Sequence, residues 1–104
     1  SDLAISFSPS NGTIVLEGKR DGRFVRVQIS DDGPGIPDDK LEKIFDRFYS
    51  ARPEGEKFGT HSGLGLSISK QIIEAHGGRL WGENRRDTAG KIRGARFIVR
   101  LPAG

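Results

Sequence analysis

The chain has 104 residues, a length that predicts one domain with its own apolar core. It has no cysteine, which excludes disulfides and thiolate metal sites, and no apolar run approaches the roughly 18 residues of a membrane span. Its 17 basic and 14 acidic residues leave a net charge of +3. The densest basic cluster has no motif typical of nucleic-acid readers, so we expect a solvated or partner-facing sheet edge and no nucleic-acid binding. The cluster comprises Arg79, Arg85, Arg86, Lys91, Arg93, Arg96 and Arg100.

The first third of the chain predicts a helix end followed by a β-hairpin. Residues 4–7 are expected to form the last turn of a helix, which stops before Pro9 because proline disfavours helical geometry in the preceding residue. Residues 13–19 and 23–30 alternate apolar and polar side chains on either side of an Asp-Gly turn. This alternation is typical of half-buried antiparallel strands. In the second strand it places three residues on the inner face: Val25, Val27 and Ile29.

The middle of the chain predicts two helices separated by a loop. A short helix begins at Pro37, whose fixed φ suits a first turn, and its apolar residues continue at helical spacing to Phe48. Residues 49–62 lack apolar periodicity and are predicted to be loop. The main helix is predicted over 63–76, and the glycine pair that follows it favours a left-handed cap.

Two further strands, over 79–84 and 92–101, are predicted to pair around a turn at 87–90. The order is then helix end, hairpin, short helix, loop, long helix, hairpin. Because short turns join the neighbouring strands, we predict an α+β fold: a single domain over 1–104 in which helices pack on one face of a mostly antiparallel sheet, as a two-layer sandwich.

A carboxylate at the predicted end of a strand is a candidate contact for a purine base. Asp31 can accept a hydrogen bond from the exocyclic amine of adenine, whereas guanine presents a carbonyl there and is rejected. Gly33 and Gly35 let the backbone pass close to the base where a Cβ would clash. Taken alone, an ordinary Asp-Gly turn explains this segment equally well.

A second glycine cluster, Gly63-Leu64-Gly65, opens the main helix. Free backbone N–H groups and the helix dipole make such a start suitable for a polyphosphate. A tight junction between loop and helix is the alternative interpretation. Together the two clusters and the loop between them predict a purine-nucleotide pocket with a lid.

Three motifs follow one another along the chain: Asp31-x-Gly33-x-Gly35, then Phe45-Asp46-Arg47-Phe48, then Gly63-Leu64-Gly65-Leu66-Ser67. In this order they resemble the first glycine box, the phenylalanine box and the second glycine box of the ATP-binding catalytic domain of two-component sensor histidine kinases. That domain belongs to the Bergerat-fold superfamily shared with gyrase B, Hsp90 and MutL. The phenylalanine box favours histidine kinases over other branches, including the anti-sigma-factor serine kinases.

The resemblance implies ATP or ADP as the ligand and a role for each matching residue. Asp31 would contact adenine, residues 49–62 would be the ATP lid, and the second glycine box would lie at the lid hinge under the phosphates. The implied nucleotide-binding residues are Asp31, Gly33, Gly35, Ile36, Phe45, Arg47, Phe48, Tyr49, Gly63, Leu64, Gly65 and Leu66. Phe45 and Phe48 would anchor the base of the lid, although an ordinary place in the helix core explains these two aromatic residues equally well. For the lid cations Arg52, Lys57 and His61, the alternative to phosphate binding is a solvated loop.

The N-terminus departs from the family pattern. Residues 2–9 align with the asparagine box, in which an Asn holds Mg²⁺ against the phosphates, and Leu3 occupies the Asn position. Leucine has no lone pair to give a hard cation. Ser6 stands where many members have a phosphate-binding Lys. The resemblance therefore implies Mg²⁺ in the parent protein and a lost ligand in this chain.

The alignment also predicts that the first strand and most of the first helix of such a domain are missing. The apolar surface exposed by their loss would be covered by a partner copy, as in a swapped dimer, or by a rearrangement. No phosphoacceptor is recognised either, because His61 falls in the predicted lid and His76 at a helix end. The implied acceptor is a His on a separate dimerisation domain, so this chain is not expected to catalyse alone.

Two classes of function remain open. As part of an enzyme, the chain would be the nucleotide-binding core of a membrane-anchored, homodimeric histidine protein kinase, on its cytoplasmic side, with a response regulator as a further partner. As an interaction module, it would bind no nucleotide and pack against a dimerisation helix or a regulator.

Overall fold

The structure is a computed structural model that describes residues 2–8, 12–46 and 65–103. Within these ranges five strands form one antiparallel sheet in the order β1-β2-β3-β5-β4, accompanied by one α-helix and two short 3-10 turns. The predicted α+β architecture is confirmed. The elements are β1 (Asp2–Phe7), β2 (Ile14–Asp21), β3 (Phe24–Asp31), the first 3-10 turn (Asp38–Lys40), the second 3-10 turn (Lys43–Phe45), α1 (Gly65–Ala75), β4 (Arg79–Arg86) and β5 (Ile92–Pro102).

Both predicted hairpins are present. β2 and β3 pair from Ile14 opposite Asp31 to Asp21 opposite Phe24, with Gly22 in the turn at φ +62°. β4 and β5 pair across the turn at 87–90, where one side chain closes the loop. Asp87 accepts hydrogen bonds from the backbone N–H groups of Ala89 and Lys91.

These bonds also set the charge state of the turn. The backbone N–H of Lys91 and the Arg93 guanidinium, 2.9 Å from Oδ2, hold the pKa of the Asp87 carboxyl below its ordinary value of 3.8. A carboxylate that gains donors in the folded state favours its charged form.

The sheet has two distinct faces. The inner face carries Gly82, Phe97, Ile29 and Leu16, which are cross-strand neighbours along one row. A Cβ at Gly82 would lie 3.3 Å from the Phe97 ring and 3.6 Å from Ile44 of the second 3-10 turn. The small residue therefore lets the second layer pack closely on β4. The outer face carries the alternate residues Trp81, Ile98, Gln28 and Glu17.

The main helix ends as its sequence predicts. The N–H of Gly78 bonds to the carbonyl of Ile73, and the N–H of Gly77 bonds to that of Glu74, with Gly77 at φ +80°. This is the Schellman arrangement, in which glycine takes the left-handed position without a Cβ penalty. His76 belongs to the same cap, since its Nδ1 lies 2.7 Å from the Ile72 carbonyl oxygen.

Two predictions of helix are wrong. Residues 4–7 lie in strand β1, which pairs with β2 and provides an edge strand. An isolated helical turn is unstable, whereas the strand places Ile5 beside Leu16 and gains a complete ladder. The helix predicted from Pro37 forms two separate 3-10 turns, and residues 47 and 48 lie outside the described ranges.

The apolar stripe of α1 points away from the sheet over part of its length. Ile68 and Ile72, which the helical period places together, are 46% and 54% exposed, whereas Ser67 is buried. On the inner face Leu3, Ile5, Ile14 and Ile29 are also exposed. The alternation of Val25, Val27 and Ile29 is confirmed, and among the described elements α1 and the second 3-10 turn cover this face only in part.

Candidate functional site

Asp31 ends β3 and is fixed from three directions. Its Oδ1 accepts hydrogen bonds from the backbone N–H groups of Gly33, at 2.9 Å, and Ala95, at 3.0 Å. The Arg85 guanidinium donates to its carbonyl oxygen at 2.5 Å. Gly94 belongs to the same arrangement, because a Cβ there would collide with the Asp31 backbone. The carboxylate is therefore held in one orientation before any ligand arrives.

This arrangement leaves one carboxylate oxygen of Asp31 available. No donor in the described part of the chain bonds to Oδ2, and the residue is only half-buried. An oriented acceptor of this kind can take a hydrogen bond from an exocyclic amine, as predicted from the sequence. Orientation in advance lowers the entropy cost of binding.

The two glycines after Asp31 differ in whether the fold has room for a side chain at their positions. Gly35 has φ +83°, and a Cβ there would lie 2.5 Å from Ile92 and 2.7 Å from the side-chain oxygen of Asn84. A Cβ at Gly33 would meet only Asp31 Oδ1, at 3.4 Å, an ordinary contact. The fold thus requires glycine at 35, whereas at 33 a Cβ would fit in ordinary contact with the Asp31 carboxylate.

Asn84 is a residue that the sequence interpretation missed. Its Oδ1 accepts from the backbone N–H of Ile36 at 2.8 Å, and its Nδ2 donates to the carbonyl of the same residue at 2.6 Å. This two-way clamp ties the segment after Gly35 to β4 and leaves Ile36 half-buried. Its position at the end of the predicted strand 79–84 could have indicated a special role for Asn84, since strands are depleted in asparagine.

Phe45 is half-buried and packs between the sheet and α1. Its ring meets Phe97 edge to face at 6.3 Å between centroids, and the Lys70 ammonium lies 5.5 Å from its centroid. The structure therefore gives Phe45 a packing role that joins the second 3-10 turn to the sheet and to α1. That role is compatible with a place at the base of a lid.

The second glycine box is described only from Gly65 onward. Gly65 is the first residue of α1, has open space where a Cβ would be, and accepts a hydrogen bond from the Ser69 hydroxyl at 2.8 Å. Leu66 is 38% exposed. Five predicted site residues lie outside the described ranges: Arg47, Phe48, Tyr49, Gly63 and Leu64. The predicted lid at 49–62, with its cations Arg52, Lys57 and His61, also lies outside them.

The structure thus joins part of the predicted site. Asp31, Gly33, Gly35 and Ile36 form one unit, held by hydrogen bonds from β4 and β5. Among the described residues no hydrogen bond connects this unit with the beginning of α1.

A cavity of about 250 Å³ lies beside Asp31. Asp31 belongs to its lining, together with Glu17, Asp32, Arg85 and Arg96. Small-molecule pockets are usually larger, about 300–1,000 Å³, and the three carboxylates outnumber the two arginines, a balance that disfavours a polyphosphate. We therefore do not place the phosphate groups of a nucleotide in this cavity.

Leu3 does not suit a cation. It lies in β1 opposite Gly18, its side chain is 60% exposed, and it offers only hydrocarbon. Ser6 lies in the same strand opposite Val15. Within the described ranges, no group of three or more His, Cys, Asp or Glu side chains is placed to hold a metal ion. In the same part of the chain, no helix is both long and apolar enough to cross a membrane.

The sequence profile of the histidine kinase-, DNA gyrase B-, and HSP90-like ATPases matches residues 1–104. The chain belongs to this family. It is 54% identical over 102 residues to the sensor protein ChvG of Rhizobium meliloti (strain 1021), a match that covers 97% of this chain and 18% of the relative. The chain thus spans under a fifth of the length of this curated relative.

Solved structures agree with the assignment. The mycobacterial sensor histidine kinase MprB superposes with a TM-score of 0.72 at 32% identity, covering 91% of this chain and 59% of that one. The histidine kinase ThkA, in complex with the response regulator protein TrrA, superposes with a TM-score of 0.69 at 35% identity, covering 93% of this chain and 24% of that one. The resemblance to the catalytic domain of sensor histidine kinases is confirmed.

Proposed function

We propose that the chain binds adenine nucleotide through Asp31 and acts as the nucleotide-binding core of a sensor histidine kinase. The observation that carries this proposal is the carboxylate of Asp31: two backbone N–H groups orient Oδ1, and no protein donor in the described ranges occupies Oδ2. Oδ2 accepts the hydrogen bond from the exocyclic amine of adenine. Guanine is disfavoured because its carbonyl would face this acceptor.

The neighbouring residues shape the base pocket. The absence of a side chain at Gly33, beside the Asp31 carboxylate, lets the base approach the backbone, and Asn84 holds Ile36 in place nearby. The start of α1 at Gly65, with the residues before it, serves the phosphates, since helix N-termini favour anions. Phe45 and Phe48 would anchor the base of the lid, and Arg47 and Tyr49 are proposed as further nucleotide-binding residues.

In the intact parent the bound ATP would supply its γ-phosphoryl group to a His on a separate dimerisation domain. The relatives named as sensor kinases support this role, and the complex of ThkA with TrrA supports a response regulator as a further partner. By the same analogy the parent is a membrane-anchored homodimer and this domain lies on the cytoplasmic side. The charge stabilisation that phosphoryl transfer needs would come from the assembled parent.

The metal site is proposed to be impaired in this chain. Leu3 stands at the position where the family has a Mg²⁺-binding Asn, and its exposed hydrocarbon side chain supports the loss of that ligand. Nucleotide binding by this chain is therefore expected not to respond to Mg²⁺.

Calorimetric titration of ADP, with and without Mg²⁺, tests the proposal. The variant Asp31→Asn replaces the free acceptor by an amide and should weaken ADP binding about ten- to a hundredfold, the value of a hydrogen bond to a charged group. Asp39→Asn, an exposed change in the first 3-10 turn, is the matched control and should bind as the parent chain does. Equal affinity for Asp31→Asn and the parent chain would contradict the base contact.

A second candidate function rests on the uncovered inner face. Leu3, Ile5, Ile14 and Ile29 are exposed there, an apolar surface that soluble monomers rarely leave open. A second copy that covers it, as in a swapped dimer, would make the chain an interaction module. If ADP produces no heat and sedimentation shows a dimer, this second candidate replaces the first.

A further inference from the structure

The structure divides the basic cluster near the C-terminus into paired and unpaired residues. Arg86 pairs with Asp38 at 3.0 Å, Arg93 with Asp87 at 2.9 Å, and Arg96 with Glu83 at 3.0 Å. These arginines are neutralised within the domain. Within the described ranges no ion pair or hydrogen bond engages the side chains of Arg79 and Arg100.

Those two arginines join a third to form a row across the outer face. Arg79 of β4 lies directly opposite Arg100 of β5, which lies directly opposite Arg26 of β3. Adjacent strands are about 4.8 Å apart, so the arginine row places three cations within about 10 Å. Like charges directly opposite each other destabilise a sheet, so the row works against the stability of the fold.

Aromatic rings hold the arginine row in place. The guanidinium carbons of Arg79 and Arg26 lie 5.0 Å and 5.7 Å from the Trp81 ring centroid, and that of Arg100 lies 3.8 Å from the Phe24 centroid. Stacking of this kind holds a guanidinium group through its face and leaves its N–H edge free. The row therefore presents oriented donors that suit the fork geometry of carboxylates.

The residues around the row decide which anion it suits. The three arginines have no carboxylate among their cross-strand partners, and Lys19 of β2 lies directly opposite Arg26. Glu17 lies in the next row of the same face, and Glu83, paired with Arg96, lies in the row beyond it. A long polyanion such as nucleic acid or a lipid surface would also cross Glu17 and be repelled there. A short acidic segment would contact the arginines and Lys19 without reaching that carboxylate.

We propose that the arginine row is a docking site for a short acidic segment of a partner protein, with two or three carboxylates within about 10 Å of each other. Each carboxylate takes paired N–H donors from one stacked guanidinium group. The row lies on the outer face, away from the space beside Gly33, so the proposal is independent of nucleotide binding.

Fluorescence anisotropy of a labelled hexaglutamate peptide, at low and physiological salt, tests this proposal on the full chain. Trp81 is the sole tryptophan and stacks against Arg26 and Arg79 of the row, so its emission should change as the peptide binds. The double variant Arg26→Gln/Arg100→Gln should weaken binding about tenfold or more, given the strength of hydrogen bonds between charged groups. Lys43→Gln/Lys91→Gln removes the same charge from exposed sites elsewhere and should change the affinity less than about twofold.

Equal weakening in the two double variants would overturn the proposal, because binding would then reflect net charge alone. Absence of peptide binding would overturn it as well. Oligothymidylate and phosphatidylserine vesicles complete the test, and tighter binding of either one than of hexaglutamate would assign the row to a different class of partner.

Discussion

The two faces of the sheet shield their apolar side chains from water in different ways. On the outer face Ile98 is fully buried, although the described helix and 3-10 turns contact the inner face. Its cross-strand neighbour Trp81 carries the stacked side chains of Arg26 and Arg79 on that face. On the inner face branched residues such as Ile14 and Ile29 are exposed beside the described helix and turns. Long amphipathic side chains can cover an apolar residue within one layer, whereas aliphatic side chains need a second layer.

The largest expected effect lies on the outer face. Ile98→Ala should lower the free energy of unfolding by about 2–5 kcal/mol, because the fully buried site cannot collapse around the lost atoms. Ile29→Ala, at a site that is 41% exposed on the inner face, should cost less than about 1 kcal/mol. Urea denaturation of the two variants measures the contrast. Similar losses would mean that the inner face is covered in solution.

The next effect concerns two glycines whose φ is positive. Gly35→Ala and Gly90→Ala both place a residue with a Cβ in the left-handed region, which should lower the free energy of unfolding by about 1–3 kcal/mol. Only the first displaces Asn84 from Ile36, so it should cost about 1–3 kcal/mol more than the second. Denaturation of both variants, with ADP titration, checks this. Loss of ADP binding in Gly90→Ala would show that the effect is global.

A smaller effect on stability, but a clear one on association, is expected at the exposed end of the inner face. Ile5→Ser should change the free energy of unfolding by less than about 1 kcal/mol and shift the chain toward monomer, since it removes apolar surface. Ala4→Ser, on the opposite face of the same strand, is the matched control. Sedimentation velocity over a range of concentrations measures the difference, and an equal shift in both variants would contradict a role for the inner face.

The smallest effect is a dependence on pH at the β4–β5 turn. The pKa of Asp87 is lowered on folding, so its contribution to stability is complete above the ordinary value of 3.8 and is lost as the pH falls through the lowered value. Asp87→Asn should remove this part of the acid dependence. Thermal unfolding of both proteins between neutral and acid pH measures this difference. If the two proteins lose stability equally as the pH falls, Asp87 does not contribute to the acid dependence.

The sequence predicts well where patterns are local. Alternation identified β2 and β3, and the glycine pair after α1 identified its cap, because both depend on neighbouring residues alone. It failed at residues 4–7, where the segment pairs with β2 instead of forming a helical turn, because the ladder depends on residues outside the segment. Asn84 was missed for the same reason, since its partner Ile36 is 48 residues away in sequence.

The candidate site was predictable in part. Asp31 and its glycines form a compact motif, and the structure shows how its carboxylate is oriented. The contributions of Arg85 and Gly94 were not predictable, because they reach the Asp31 backbone from other strands. The proposed role of the second glycine box and the lid remains a prediction, since most of those residues lie outside the described ranges.

The two edges of the sheet are unequal, and this affects how copies of the chain meet. The β4 edge carries Arg79, Glu83 and Arg86, charges of the kind that discourage strand addition, whereas the central residues of β1 are uncharged. If two copies join through β1 in antiparallel fashion, both uncharged edges are consumed at once and only charged edges remain. Such an assembly closes at two subunits and cannot grow into a fibre.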